Sequence, residues 1–333
     1  MKAIIPVAGV GSMLRPHTHT QPKALVPVAG KPILAHIIDS LVEGGIREFI
    51  LVIGYLGDKI EKYVAKTYPQ LNVEYVLQEP RNGLGHAIWL TQSKLAGERE
   101  VLIVLGDTIV NVDLPAFLAS ALSVLGVKKV DTPGAFGVAE VDAQGMIKKL
   151  VEKPKIPKSN LALVGIYKIA DVPLLFSSLE YLMSGNGLQA SEYQLTDALM
   201  RMIEQGAKMK TMQVINWYDC GKKETLLEAN AILLNRHGYK NTAYPQFPGT
   251  IVIPPVSIGA DCKIQASIIG PNVAIGDNTS IRYSIIQNSI IGSFSELENT
   301  VLNQSIIGND TSLKGMSQSL NIGDNTEINF NRQ

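Results

Sequence analysis

The sequence predicts an α/β domain with a mixed, mainly parallel sheet and helices on both faces, followed by a domain of short stacked strands. Roughly the first two-thirds of the 333 residues alternates short apolar runs with amphipathic stretches, which is typical of parallel strands joined by covering helices. From about Thr250 onward, Ile-Gly pairs recur between small and polar residues, which indicates a repeat architecture. We therefore expect one domain at residues 1–240, a linker at 241–249 and a second domain at 250–333.

Each element of the first domain follows from the spacing of its apolar residues. Segment 2–7 is a short continuous apolar run, which predicts a strand buried on both faces. Segment 33–44 has apolar residues three and four positions apart, which predicts a helix. The other predicted strands are 49–53, 73–77, 101–105, 135–141, 147–151, 162–169 and 210–214. The other predicted helices are 60–67, 86–92 and about 223–235.

The second domain is predicted from its repeats. Ile-Gly pairs occur at 258–259, 269–270, 275–276, 291–292, 307–308 and 322–323. Single aliphatic residues fall between the pairs at positions 264, 281, 297, 313 and 328. This spacing suits a coil whose flat faces are short strands, so that stacked turns bury one aliphatic ladder. The pattern resembles the left-handed parallel β-helix of hexapeptide repeats, and the handedness comes from that resemblance alone.

The composition excludes several kinds of partner and location. Lys and Arg together number 30, as do Asp and Glu, so no net charge favours nucleic acid or an anionic membrane. The first apolar run is broken at Pro6 and Gly9, whereas a spanning helix needs about 20 apolar residues. The two cysteines, Cys220 and Cys262, match no metal or disulfide spacing. These observations predict a cytoplasmic protein with reduced thiols.

The first predicted strand runs into a glycine-containing loop, Val7-Ala8-Gly9-Val10-Gly11-Ser12. Open α/β folds bind ligands at the carboxyl edge of the sheet, and glycines let backbone N–H groups approach phosphate oxygens. The loop is not a good dinucleotide fingerprint, because Leu14 occupies the place of the third glycine. It is not a Walker A loop either, since Gly-Lys-Ser/Thr is absent. Two interpretations of the loop remain, namely a phosphate site of another kind and a strand–loop–helix turn that binds no ligand.

The continuation of the loop resembles the sugar-1-phosphate nucleotidylyltransferase family. The family signature is roughly G-x-G-T-R-L-x-P-x-T, then P-K-x-L-x-P-V and K-P, and it matches residues 9–18, 22–28 and 31–32. The resemblance spans about residues 1–235, and the repeats further resemble the long glucose-1-phosphate thymidylyltransferases that end in a β-helix. The later motifs in family order are Gln78 with Gly83-Leu84-Gly85, Gly106-Asp107, Phe136-Gly137-Val138, Glu152-Lys153-Pro154, Gly165-Ile166-Tyr167 and Trp217-Tyr218-Asp219-Cys220-Gly221.

This resemblance implies a Rossmann-like fold and an enzyme that transfers a nucleotidyl group from a nucleoside triphosphate to a sugar 1-phosphate, with Mg²⁺ as cofactor. The sugar-phosphate oxygen attacks the α-phosphorus and pyrophosphate leaves, so catalysis is positioning plus neutralisation of charge. The β-helix favours dTTP and glucose 1-phosphate. The segment Gly83-Leu84-Gly85-His86-Ala87 resembles UDP-glucose pyrophosphorylases and keeps UTP open, with GTP and mannose 1-phosphate behind.

The resemblance also assigns roles to individual residues. Asp107 and Asp219 would bind Mg²⁺, which prefers carboxylate and phosphate oxygens. From the residues alone, the first could equally be a helix cap and the second a turn residue. The implied catalytic residues are Lys23, Asp107, Lys153 and Asp219. The implied nucleotide-binding residues are Ala8, Gly9, Gly11, Ser12, Met13, Gln78 and Gly83. The implied sugar-phosphate-binding residues are Gly137, Glu152, Lys153 and Gly165.

Two positions depart from the family pattern. Met13 stands where the family has the arginine expected to grip the triphosphate, and the loss of that contact is worth roughly 2–4 kcal/mol. Arg15 is the nearest other cation of the loop, but its side chain starts from a different direction. Lys222-Lys223 replaces the Thr-Pro of many relatives and adds positive charge near the implied metal site. The alternative function is therefore a catalytically weak, regulatory homologue.

A third function, acyl transfer by the β-helix, is disfavoured. Such sites usually need a histidine base, and all five histidines precede the repeats. They are His17, His19, His36, His86 and His237. The exposed end of a coil instead predicts a possible homo-oligomer.

Overall fold

The protein is described from a computed structural model, which covers residues 1–186, 192–236 and 244–315. The chain divides into two compact units, Met1–Ala229 and Asn230–Gln333. Because this division falls inside the last helix of the first region, the linker at 241–249 stays a prediction. His237 and the repeats at 322–323 and 328 lie outside the described residues.

The first unit alternates strands and helices, and the predicted elements occur in order among further strands and helices that were not predicted. Its strands are β1 Lys2–Pro6, β2 Pro27–Val28, β3 Lys31–Pro32, β4 Glu48–Ile53, β5 Asn72–Leu77, β6 Val101–Val104, β7 Thr108–Asn111, β8 Ser123–Lys129, β9 Gly137–Val141, β10 Ile147–Glu152, β11 Leu161–Ile169, β12 Met209–Gln213 and β13 Asn216–Asp219. Its helices are α1 Ile33–Glu43, α2 Gly57–Thr67, α3 Leu84–Trp89, α4 Leu114–Leu118, α5 Val172–Tyr181, α6 Leu195–Glu204 and α7 Lys223–Arg236, the last of which continues into the second unit.

The main sheet is mixed, as predicted. Its strand order is β10-β9-β11-β6-β1-β4-β5, with β8 also paired to β11 and β12 to β8. Strands β6, β1, β4 and β5 run parallel, whereas β11 is antiparallel to β6, β8 and β9. The Rossmann-like fold class is confirmed.

Both faces of the central strands are covered, which explains their continuous apolar runs. Ile4 belongs to a core cluster with Ile88 of α3, Leu175 of α5 and Leu199 of α6. Successive side chains of a strand point to opposite faces. Ile5 therefore points away from that cluster, yet it too is fully buried.

A small second sheet was not predicted from the sequence. Strands β7 and β13 pair antiparallel, and their register places Asp219 opposite Thr108. Thr108 directly follows Asp107, and the Cys220 N–H donates to the Asp107 carbonyl at 3.1 Å. This pairing joins the two implied metal-binding carboxylates.

The second unit is the predicted stack of coils. Three four-stranded parallel sheets form its faces, in the orders β14-β17-β20-β23, β15-β18-β21-β24 and β16-β19-β22-β25. Ile264, Ile281 and Leu297 stack in register inside it and are buried, so the predicted aliphatic ladder is confirmed. The strands are β14 Ile251–Val252, β15 Val256–Ile258, β16 Lys263–Gln265, β17 Ile268–Ile269, β18 Val273–Ile275, β19 Ser280–Arg282, β20 Ile285–Gln287, β21 Ile290–Ile291, β22 Glu296–Glu298, β23 Val301–Asn303, β24 Ile306–Ile307 and β25 Ser312–Lys314.

Asn and Asp residues turn many of the corners between these faces. They adopt the left-handed conformation, which their short polar side chains tolerate better than most. These residues are Asp261, Asn272, Asn278, Asn288, Asn299 and Asp310. Within the described ranges of the whole chain, none of the helices has the length and apolar character needed to cross a bilayer.

Candidate active site

A cleft of about 660 Å³ opens where β1 and β6 end, at the carboxyl edge of the parallel strands. This is the edge at which open α/β sheets bind ligands. The cleft brings together most of the residues that the sequence singled out. Those that line it are Gly9, Gly11, Ser12, Met13, Lys23, Asp107, Gly137, Glu152, Lys153 and Asp219.

The conformation of the glycine loop brings Gly11 close to the Lys23 side chain. Gly11 has a φ of +62°, which a side chain rarely adopts, and a Cβ placed on it would lie 2.9 Å from the Cβ of Lys23. The Gly11 carbonyl accepts hydrogen bonds from the Thr18 hydroxyl at 2.8 Å and the Leu14 N–H at 2.9 Å. A Cβ on Gly9 would meet no atom within 4 Å, so open space lies above that residue. The loop therefore offers backbone to a ligand and holds it close to an ammonium group.

Lys23, Asp107 and Asp219 form a charged cluster on the cleft wall. The Lys23 Nζ lies 2.6 Å from the Asp107 Oδ2. The Asp219 Oδ1 accepts a hydrogen bond from the Gly221 N–H at 2.9 Å. Burial raises the pKa of Asp219 above its ordinary value of 3.8, and the negative charge of Asp107 raises it further, whereas Lys23 opposes the shift. The two carboxylates together carry more negative charge than the Lys23 ammonium neutralises, so a further cation would stabilise the cluster.

The two carboxylates fit Mg²⁺ bound together with substrate. Among the described residues, no group of three or more His, Cys, Asp or Glu side chains could hold a metal ion unaided. Magnesium is commonly bound by one or two carboxylates, with phosphate oxygens and water as the other ligands. Asp107 and Asp219 supply that donor set, and a divalent cation would relieve the repulsion between them.

Glu152 is held in the cleft by Gly137 and Thr196. Strands β9 and β10 pair Glu152 with Gly137, and the Thr196 hydroxyl donates to the Glu152 Oε2 at 3.1 Å. A Cβ on Gly137 would lie 3.0 Å from that oxygen and 3.1 Å from the Thr196 Cγ2. The missing side chain leaves room for the carboxylate to lie over the strand. A carboxylate fixed in this way can accept hydrogen bonds from hydroxyl groups of a ligand.

Lys153 follows Glu152 in a strained conformation. Its φ is +41°, and its N–H donates to the Phe136 carbonyl at 3.1 Å. A non-glycine residue in this region costs about 1–3 kcal/mol, and such strain gathers at functional sites. The strain turns the chain at the end of β10 and presents Lys153 to the cleft.

Ala8, Gln78 and Gly83 do not line the cleft, although their neighbours Gly9 and Leu84 do. Ala8 and Gln78 are buried, and the Gln78 Nε2 donates to the Gly83 carbonyl at 2.9 Å. Gly83, with a φ of +95°, begins α3. Gln78 and Gly83 support the start of α3, where Leu84 lies, and the contact of all three residues with a nucleotide stays a prediction.

Gly165 also lies away from the cleft wall. The register of β11 shifts between Leu163 and Tyr167, and Gly165 has a φ of +87° within that bulge. A Cβ there would lie 2.9 Å from the Leu105 side chain. The bulge lets β11 pack on Leu105, which does line the cleft. Direct contact of Gly165 with sugar phosphate stays a prediction.

His86 is packed inside the fold and does not line the cleft. It is buried within α3 and stacks on Trp89 with ring centroids 6.1 Å apart. The Gln78 Nε2 lies 3.4 Å from its Nδ1. Burial lowers the pKa of His86, which keeps the ring neutral at physiological pH.

Several lining residues were missed as site residues. Trp217 packs edge-on against Phe136, with ring centroids 4.8 Å apart, and its buried Nε1–H has no partner in the described ranges. Burial, Glu152 and Asp107 raise the pKa of Tyr167 far above its ordinary range, so the phenol stays protonated. Motif membership was the signal for the aromatic residues and for Leu84, whereas nothing in the sequence marked Thr196. The missed lining residues are Leu84, Leu105, Thr108, Ala135, Phe136, Leu163, Val164, Tyr167, Gln194, Leu195, Thr196, Trp217, Gly221 and Lys222.

Comparison with known proteins gives one consistent result. The family model described as nucleotidyl transferase matches residues 2–236. The chain is 31% identical to a low-salt glycan biosynthesis nucleotidyltransferase, Agl11, of Haloferax volcanii, over 87% of each chain. It is 31% identical to a glucose-1-phosphate thymidylyltransferase of Streptomyces griseus, also over 87% of each. A UDP-glucose pyrophosphorylase solved with UDP-glucose superposes with a TM-score of 0.60 and 25% identity, covering 71% of this chain and 98% of that one.

Proposed function

The chain belongs to the nucleotidyl transferase family and is a sugar-1-phosphate nucleotidyltransferase, and from this premise we propose that it transfers a thymidylyl group from dTTP to glucose 1-phosphate. An oxygen of the sugar phosphate forms a bond to the α-phosphorus of the nucleotide. The bond from that phosphorus to the β-phosphate bridging oxygen breaks, and pyrophosphate leaves with its electron pair. The products are dTDP-glucose and pyrophosphate.

One observation carries this proposal, namely that a single cleft holds two separate charged groups. Lys23 lies with Asp107 and Asp219 beside the glycine loop, which suits a triphosphate and its metal. Glu152 and Lys153 lie together at the end of β10, which suits the hydroxyl groups and phosphate of a sugar phosphate. Holding two anions in line is most of what this reaction requires of a protein.

Asp107 and Asp219 are the proposed ligands of Mg²⁺. When bound, the ion would supply neutralisation of the phosphate charge. Lys23 holds Asp107 in place through its ion pair and faces the phosphates from the glycine-loop side.

The choice of dTTP is supported by how much of the chain each relative matches. The match to the Streptomyces griseus thymidylyltransferase spans 87% of this chain, so it extends past residues 2–236 into the stacked coils. Pyrophosphate release should therefore be measured with dTTP, UTP, GTP, CTP and ATP, each with glucose 1-phosphate and with mannose 1-phosphate. We expect the highest kcat/KM for dTTP with glucose 1-phosphate. A higher value for UTP would overturn the choice of base.

Met13 supports a second candidate function. Its side chain is 64% exposed on the cleft wall and brings no charge to the place where the family signature has arginine. A regulatory homologue that binds nucleotide sugar without turnover would show binding by calorimetry and no pyrophosphate with any pair of substrates. That result would show that the chain binds nucleotide sugar and does not catalyse the proposed reaction.

Replacement of Gly137 by alanine tests the sugar-phosphate part of the cleft. The new methyl group would press on the Glu152 Oε2 and the Thr196 Cγ2. We expect kcat/KM for glucose 1-phosphate to fall about 10- to 100-fold, since displacement of a positioning group by about 1 Å has effects of this size. Steady-state kinetics with each substrate varied in turn would measure it.

A second substitution serves as the control for Gly137→Ala. Thr196→Ser keeps the hydroxyl that donates to Glu152 and removes the methyl group that would crowd the new Cβ. The double variant should recover part of the lost activity. If the double variant is no better than Gly137→Ala alone, crowding of Glu152 is not the cause of the loss.

The oligomeric state stays a prediction, and sedimentation velocity of the whole chain would establish it.

A further inference from the structure

Few positively charged side chains line the cleft, although the phosphates of the proposed substrates carry several negative charges. Among the described residues that line it, the positively charged ones are Lys23, Lys153 and Lys222. Arg15, the other cation near Met13 in the sequence, is not among them. The charge missing at Met13 is therefore not replaced from within the glycine loop.

Two of the three lysines already have assigned roles, although Lys153, like Lys222, forms no ion pair in the described structure. Lys23 is paired with Asp107 at 2.6 Å. Lys153 follows Glu152 directly at the sugar-phosphate part of the cleft. Lys222 has no ion pair in the described structure, where the salt bridges do not include it. It is the cation available for the remaining phosphates.

Lys222 lies on the same side of the cleft as the glycine loop. A Cβ on Gly11 would lie 2.9 Å from the Lys23 Cβ, and a Cβ on Gly221 would lie 3.5 Å from the Lys23 Nζ. Lys23 therefore bridges the loop and the segment that ends in Lys222. Glu152, by contrast, packs with Gly137.

The backbone of Lys222 is fixed by the start of α7. Its carbonyl accepts from the Leu226 N–H at 2.9 Å, and its N–H donates to the Thr225 hydroxyl at 3.3 Å. The Lys222 side chain is exposed, whereas its backbone is held beside the cleft. A cationic side chain on a fixed backbone loses less conformational entropy when it binds phosphate.

The neighbouring Lys223 does not line the cleft. His17 has a pKa lowered by burial and, to a lesser degree, by the positive charge of Lys223. Asp219 has a pKa raised by burial and by Asp107, against which Lys23 and Lys222 act. The two lysines thus influence different groups, and only Lys222 lines the cleft.

We propose that Lys222 supplies the cation for the β- and γ-phosphates of the nucleoside triphosphate, in place of the arginine that Met13 replaces. This proposal rests on the proposed function. The phosphates it binds are those that leave as pyrophosphate, so Lys222 stabilises the leaving group. The lysine at position 222 then compensates for the methionine at position 13.

Lys222→Met tests the proposal in both directions of the reaction. In the reverse direction the KM for pyrophosphate should rise about 10- to 100-fold, as expected for loss of one charge-assisted contact, while the KM for nucleotide sugar stays unchanged. In the forward direction kcat/KM for the triphosphate should fall by a similar factor. Lys222→Arg should keep most of the activity, and Lys223→Met, which removes the same charge one residue away, should behave as wild type.

A double-mutant cycle tests compensation directly. Met13→Arg should raise activity more in the Lys222→Met background than in the wild-type background. Equal effects of Lys222→Met and Lys223→Met, or an unchanged KM for pyrophosphate, would overturn the inference. If wild type turns over no substrate, the proposed function fails instead. The inference is then decided by calorimetry, in which Lys222→Met should weaken binding of the triphosphate and leave binding of the nucleoside monophosphate unchanged.

Discussion

Asp219→Asn should abolish activity and at the same time make the unliganded protein more stable. The carboxylate is one of two proposed Mg²⁺ ligands, and its loss should lower kcat by about 10³-fold, the upper size seen when one group that stabilises developing charge is removed. Without metal or substrate, however, the Asp219 carboxylate is buried near Asp107 and is costly to ionise. Asparagine removes that cost, and its amide oxygen can still accept the hydrogen bond from the Gly221 N–H.

The gain in stability should depend on pH in a defined direction. The pKa of Asp219 is raised in the folded state above its ordinary value of 3.8, so the unfolded chain gives up this proton at lower pH than the folded protein does. Ionisation therefore destabilises the fold at neutral pH, and this cost disappears as the pH falls through the raised pKa. The difference in free energy of unfolding between Asp219→Asn and wild type should be largest near pH 7 and vanish below about pH 4.

Thermal unfolding in the presence of a chelator, from about pH 4 to about pH 8, would measure this difference. Asp131→Asn, at an exposed carboxylate outside the cleft, should leave both stability and activity unchanged. A less stable Asp219→Asn variant at pH 7 would mean that the carboxylate contributes to the fold rather than straining it.

The sequence identified both acidic residues but not the structure that joins them. Asp107 and Asp219 were assigned by motif, whereas β7 and β13, which bring them together, were not predicted. Each of these strands has four residues, and each pairs with a partner far away in the chain. Local periodicity carries no information about such a pairing.

The predicted strands of the main sheet and the coils of the second unit succeeded for the opposite reason. Apolar runs such as Glu48–Ile53 are long enough to be recognised, and the ladder of Ile264, Ile281 and Leu297 repeats at a nearly constant interval. Helix α5 was missed although its start is marked, since the Asp171 side chain accepts from the Leu174 N–H at 2.9 Å. Thr196 was missed together with α6, because a single threonine carries no signal of the carboxylate it will contact.

The expected contact of Gln78 with the nucleotide depended on exposure, which the sequence does not give. Gln78 is buried because Gly83 and the following helix pack over it, and Gly83 in turn lies against Tyr193, whose backbone oxygen would be 2.5 Å from a Cβ on that glycine. The role of Gln78 and Gly83 in binding the nucleotide stays a prediction. Which of them faces the ligand is decided by packing between segments distant in the chain.

Lys153→Met should lower kcat/KM for glucose 1-phosphate by about 10²- to 10³-fold, because the ammonium group is proposed to meet the phosphate of the sugar as it becomes a nucleophile. The effect should appear mainly with sugar phosphate varied, whereas the KM for the triphosphate should change little. Lys155→Met removes an equally exposed lysine two residues on and should have no effect.

Lys153→Gly separates the role of the charge from that of the strained backbone. Glycine adopts a φ of +41° without the steric cost that lysine bears, so this variant should lose as much activity as Lys153→Met but unfold at a higher temperature, by an amount that corresponds to about 1 kcal/mol. Thermal unfolding of the two variants beside wild type would measure the difference. If the glycine variant is no more stable than the methionine variant, the left-handed turn at the end of β10 does not store strain. If it retains activity, the turn rather than the ammonium is what the reaction needs.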